Sequence, residues 1–122
     1  MKILIVEDSR LMRKAITKIV VAKGYEPLEA ENGEEALKQL CTNKSEISLV
    51  IMDWNMPIMD GIDALEKIRE DEQYDDVPVL MATSEGIKED IDRATKAGAN
   101  GYMVKPFKMQ ELANKISELI ET

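Results

Sequence analysis

The stretch SLVIMDWNMP, Ser48 to Pro57, decides how this chain is read. Leu49 to Met52 form an uninterrupted apolar run, which predicts a strand buried on both faces. The run ends directly on a carboxylate, Asp53, and a turn closed by Pro57 follows. A strand driven through a core to deliver a charge raises the question of what stands at the ends of the other strands.

Four further apolar runs have the same character: Ile3 to Val6, Leu28 to Ala30, Val79 to Ala82 and Tyr102 to Val104. Between them lie amphipathic stretches with apolar residues at helical spacing, such as Leu11, Ala15, Ile16, Ile19 and Val20. Gly24 and Gly98 stand where helices should stop, and Asn32 with Glu35 has the spacing of a capping box. Alternation of this kind predicts an α/β fold, a doubly wound five-stranded parallel sheet with helices on both faces. Pro27 removes a ladder donor, which places the second strand at an edge. That fits the flavodoxin-like order 2-1-3-4-5 known for such sheets. At 122 residues the chain is expected to be one domain, 1–122, with no output domain after it.

Composition narrows the function. The formal charge of −8 and the scattered basic residues argue against nucleic acid and anionic membrane as partners. No leader or long apolar segment is evident, which points to the cytoplasm, and a monomer is expected. Histidine is absent, leaving carboxylates, hydroxyls and lysines to do any chemistry. The single cysteine, Cys41, is expected to pack inertly among Leu37, Leu40 and Ile47.

Ligands of open α/β sheets bind beyond the carboxyl ends of the strands. Glu7 and Asp8 follow the first run, Asp53 the third, Thr83 and Ser84 the fourth, and Lys105 the fifth. Each has a simpler explanation: Asp8, Ser9 or Thr83 could cap a helix, Asp53 could open a turn, and Lys105 could be a solvated charge. Together they converge on one rim. Three carboxylates in a half-buried cleft call for a cation, and hard oxygen ligands suit Mg²⁺. A metal–carboxylate cleft faced by a hydroxyl and an ammonium suits a phosphoryl group. Asp53 is then the candidate nucleophile, forming an acyl phosphate.

These residues resemble a known family. Glu7-Asp8, Asp53 with Met56-Pro57 and Asp60-Gly61, Thr83, and Lys105-Pro106-Phe107 are similar to the signature of response-regulator receiver domains, in the same order and across the whole chain. Asp53-Trp54-Asn55-Met56-Pro57, with Tyr102 before Lys105, resembles the chemotaxis type. The resemblance implies that Asp53 accepts a phosphoryl group from a phosphohistidine on a partner histidine kinase. It also implies that the protein, no conventional enzyme, catalyses its own phosphorylation and dephosphorylation. Mg²⁺ would be held by Asp8, Asp53 and the backbone carbonyl of Asn55, with Glu7 acting through water. Lys105 would contact the phosphoryl group from beside a cis bond to Pro106, Thr83 would move toward it, and Tyr102 would turn inward. Asn55 and Glu85 occupy the positions that tune dephosphorylation. The implied output face combines a helix from about Glu85, the strand Tyr102 to Val104 and the helix Met109 to Ile120. Its target would be a flagellar switch component, or a second histidine phosphotransfer protein if the chain is a phosphorelay intermediate. Glu7 departs from the commoner aspartate.

Rival chemistries fit less well. An aspartate-nucleophile phosphatase of the haloacid dehalogenase kind wants a second aspartate where Asn55 stands. A flavin carrier wants a glycine- and hydroxyl-rich loop where Glu7-Asp8 would repel phosphate. Trp54 is expected to be packing, the eight methionines adaptable filler, and Gly61 a source of backbone freedom in a turn.

Overall fold

The computed structural model describes residues 1–120, apart from the side chain of Lys44. Glu121 and Thr122, the last two residues of the expected domain, lie outside the described residues. In chain order the elements are β1 (Lys2–Val6), α1 (Arg10–Ala22), β2 (Glu26–Ala30), α2 (Gly33–Asn43), β3 (Ile47–Met52), α3 (Gly61–Glu70), β4 (Val79–Thr83), α4 (Lys88–Ala97), β5 (Gly101–Val104) and α5 (Met109–Ile120). The strands form one sheet in the order β2-β1-β3-β4-β5, and every pairing is parallel. The alternation of βα units and the edge position of the proline-bearing strand are as the sequence implies.

Successive residues of a strand point to opposite faces, and the core divides accordingly. Leu4, Val6, Val50, Met52, Val79 and Met81 pack with Ala36, Leu40, Ile62, Leu65 and Ile68 of α2 and α3. Ile3, Ile5, Leu49, Ile51, Leu80 and Ala82 pack with Ile16 and Val20 of α1 and Leu112 and Ile116 of α5. The central run of the opening stretch is therefore covered on both sides.

Three expectations need correction. The buried face of α1 is Arg13, Ile16 and Val20, whereas Leu11 is 84% exposed; a charged residue occupies a core position that apolar spacing alone assigns elsewhere. Cys41 is exposed rather than packed, because α2 turns Ala36 and Leu40 inward and the residue after Leu40 lies about 100° further round. Helix α4 starts at Lys88 rather than near Glu85, since the chain is still extended at Ile87.

The end of the sheet away from the strand C-termini is tied together by Arg69. Its guanidinium donates to the carbonyls of Gly98 (3.0 Å), Tyr74 (2.8 Å) and Val77 (2.8 Å) and to Oδ1 of Asn100 (2.9 Å). Gly98 ends α4 at φ +112°, and a Cβ there would lie 2.6 Å from Cγ of Arg69. Removing the guanidinium orphans three carbonyls at once. Arg69→Met is expected to lower unfolding free energy by about 2–4 kcal/mol, read by urea denaturation; a loss under about 0.5 kcal/mol would show that water replaces it freely.

Candidate functional site

Register brings the strand ends together. Val6 of β1 pairs with Met52 of β3, and Thr83 of β4 pairs with Val104 of β5. Each ladder then runs one residue beyond its strand: Glu7 N–H donates to the Ala30 carbonyl at 3.0 Å, Asp53 N–H to Val6 at 3.0 Å, and Lys105 N–H to Thr83 at 2.8 Å. The backbones that carry Glu7, Asp53 and Lys105 are thus part of the sheet rather than of loops.

The carboxylates of Glu7, Asp8 and Asp53 converge, with one oxygen of each within 4.8 Å of the others. Glu7 and Asp53 are 2% and 8% exposed, while Asp8 opens to solvent. Sequence reasoning set Lys105 opposite the carboxylates. In the fold its ammonium lies among them, bonded to Oε1 of Glu7 and 3.4 Å from Oδ2 of Asp53. Oδ1 of Asp53 accepts the Trp54 N–H at 2.7 Å, and Oε2 of Glu7 accepts the Ser9 N–H at 3.1 Å. Burial pushes the Glu7 carboxyl above the usual carboxylate range, against the opposing pull of Lys105 and the Ser9 amide. Three hard, anionic oxygens around a solvent-facing opening fit Mg²⁺, which retains several waters.

Thr83 is fully buried, and its hydroxyl only accepts from Glu85 N–H at 3.4 Å. It caps no helix: α4 has Ile87 at its N-cap, and the cap of α1 is Ser9, whose hydroxyl accepts from Met12 N–H. Glu85 joins residues that the sequence leaves separate. Its carboxylate accepts from the Asn55 amide, and its carbonyl accepts from the Tyr102 hydroxyl. Burial, with Asp90, Glu85 and Asp53 adding to it, pushes the Tyr102 phenol up to about 12, so it remains a donor near neutrality. Trp54 is packed as expected, 7% exposed, with the Arg93 guanidinium of α4 lying 5.7 Å from its ring centre. The Lys105–Pro106 peptide is cis.

Gly61 has a different reason from the one its turn implies. Its N–H donates to the Trp54 carbonyl at 2.7 Å, and a Cβ would lie 2.0 Å from the carbonyl oxygen of Asp53. Asp60 caps α3 by accepting from Asp63 N–H at 3.0 Å. The start of α3 is therefore pressed against the backbone of Asp53. Contact of this kind leaves no mark in a single sequence beyond the glycine itself.

Residues 3–117 match the family model of the response regulator receiver domain. The chain belongs to that family. Chemotaxis protein CheY1 of Helicobacter pylori is 43% identical to this receiver domain over 123 aligned residues, covering 100% of this chain and 98% of the relative. The structure of chemotaxis protein CheY4 of Vibrio cholerae superposes on it with a TM-score of 0.89 at 32% identity, over 97% of each chain. CheY of Borrelia burgdorferi, in the crystal structure of a CheX–CheY–BeF3–Mg²⁺ complex, gives a TM-score of 0.89 at 29% identity, covering 96% of this chain and 87% of that one. The receiver domain is of CheY type.

Two outcomes follow from the site of this receiver domain. Gly61→Ala must displace the Asp53 backbone or the start of α3, and is expected to destabilise the fold by about 1–3 kcal/mol while shifting Trp54 emission; unchanged stability would mean that α3 moves aside without strain. A carboxyl whose folded pKa is raised contributes stability that is fully present below its unfolded pKa and is lost as pH rises through the folded one. In chelator-treated protein, Glu7→Gln should therefore gain stability relative to the parent as pH rises above about 4. If urea midpoints show the gap moving the other way, Lys105 outweighs burial at Glu7.

Proposed function

We propose that this receiver domain accepts a phosphoryl group on Asp53 from a phosphohistidine of a partner kinase and transmits the change to a protein target. One observation carries the reading: a nearly buried carboxylate at a strand end, 3.4 Å from a lysine ammonium and grouped with two further carboxylates. These 122 residues contain no histidine, so the donor imidazole lies outside them. A carboxylate oxygen of Asp53 bonds to phosphorus as the phosphorus–nitrogen bond of the donor breaks, its electron pair returning to the imidazole.

Asp8, Asp53 and the Asn55 carbonyl would hold Mg²⁺, with Glu7 acting through water. When bound, the ion supplies positive charge that offsets repulsion between the carboxylates and the incoming phosphoryl oxygens. Lys105 needs only a rotation of its flexible stem to reach a phosphoryl oxygen. Thr83 accepts one weak bond, so its proton is available to a second phosphoryl oxygen. Hydrolysis restores the carboxylate, and the Asn55–Glu85 pair flanks that approach, consistent with a tuning role.

The proposed output face is α4, β5 and α5. Tyr102 reports on it directly, since its hydroxyl bonds to the β4–α4 segment. A groove of about 450 Å³ between β5 and α5, lined by Tyr102, Val104, Glu111, Asn114 and Lys115, offers a partner a concave surface. That its relatives are chemotaxis proteins favours a chemotaxis target over a relay histidine. Among the described residues no helix is long and apolar enough to cross a membrane.

The test is incubation with Mg²⁺ and acetyl phosphate followed by intact mass. The parent is expected to gain one phosphoryl group, and Asp53→Asn or excess chelator to abolish the gain. Lys105→Ala should slow acceptance by about 10²-fold, the usual effect of losing one preorganised donor to developing charge. No gain in the parent would sink the phosphoacceptor role of Asp53.

A further inference from the structure

Asp8 differs from the other two carboxylates of the cluster in how it is held. Glu7 is bonded to the Ser9 amide and Lys105, and Asp53 to the Trp54 amide with Lys105 nearby. Among the described residues, no hydrogen bond or ion pair reaches the Asp8 carboxylate, which is exposed. Its backbone is held on both sides, by the following Ser9 N–H bonded to the Glu7 carboxylate and by the preceding peptide unit, whose carbonyl belongs to Glu7.

That carbonyl is gripped by Arg13. The guanidinium donates through one terminal nitrogen to the Glu7 carbonyl at 2.8 Å, and through Nε to Oε1 of Glu29 at 2.9 Å. Its other terminal nitrogen lies 3.6 Å from Oε1 of Glu31. Arg13 is 8% exposed and sits on the buried stripe of α1, one turn ahead of Ile16. A charge in such a position is costly to bury unless its bonds are met. Here the planar fork spans α1, the end of β1 and the end of β2, which a lysine ammonium cannot do at once. The Glu7 N–H is tied to Ala30 on the other side, so both neighbouring peptide groups are clamped.

We infer that Arg13 is the positioning residue for Asp8, acting through the Glu7 carbonyl to set the affinity of the acidic cluster for a divalent cation. The inference rests on the proposed cation site, and it adds a residue that touches neither the cation nor the phosphoryl group. Partners one step behind a metal ligand commonly govern affinity by about 10–100-fold.

The experiment titrates Mg²⁺ alone, by Trp54 fluorescence and by calorimetry, into the parent, Arg13→Lys, Arg13→Met, Asp8→Asn and the double variant Arg13→Lys/Asp8→Asn. Urea midpoints establish the folded fraction of each. Expected results are an affinity at least about tenfold weaker for folded Arg13→Lys, a rate of acetyl phosphate acceptance that returns to the parent's at saturating Mg²⁺, and no further loss when Arg13→Lys is added to Asp8→Asn. Should Arg13→Met fail to fold, Arg13→Lys, which keeps the charge and the stem, carries the test. Unchanged affinity in Arg13→Lys overturns the inference. So does an equal loss in the Asp8→Asn background, which would mean that Arg13 acts by another route. A parent that binds no Mg²⁺ removes the cation site itself and the inference with it.

Discussion

The parallel register at the centre of the sheet forces like charges together, and the rest of the site is arranged around that fact. Once Val6 is paired with Met52, Glu7 and Asp53 emerge side by side, whatever their charges prefer. Two unit charges about 4 Å apart near a protein surface repel by roughly 4 kcal/mol. The fold tolerates this because the strands beneath are buried on both faces, and because Lys105 is delivered from the end of β5 into the same space. An internal cation therefore stands where an external one is expected to bind. Lys105 answers to Glu7 and Asp53 until another anion or cation changes the balance.

Two sets of contacts lead away from Asp53 toward α4. One runs from the Trp54 amide through its ring to Arg93. The other links Asn55 to Glu85 and Glu85 to Tyr102. Both cross the gap between the β3 and β4 ends, so the loop after Asp53 is in direct contact with the β4–α4 segment, α4 and β5. Gly61 closes the opposite side of the same loop. With α3 pressed on the Asp53 carbonyl, displacement in that direction is blocked.

The βα alternation, the edge position of β2 and the grouping of Glu7, Asp8, Asp53 and Lys105 were legible because each depends on a local pattern: an apolar run, a proline in a strand, a polar residue at a strand end. What was illegible depends on tertiary partners. Arg13 breaks an apolar periodicity, and only the positions of Glu7, Glu29 and Glu31 reveal why. Cys41 has apolar neighbours in sequence, but the inward face of α2 is decided by Ala36 and Leu40. Arg69 reads as one more surface charge until four acceptors from two segments surround it. Glycine at position 61 could equally serve a turn or a close approach; the distance to Asp53 distinguishes them.

The two ends of α4 are unequally secured. Its last turn is tied down, with the Gly98 carbonyl held by Arg69 and the Gly98 amide returned to Thr95. Its first turn has an isoleucine at the N-cap and no side chain to satisfy the leading amides. A rod fixed at one end and loose at the other has only one way to respond to a push near its free tip. A swing about the anchored end would carry the free tip at Ile87 furthest, on the side where Glu85 bonds to Asn55 and Tyr102.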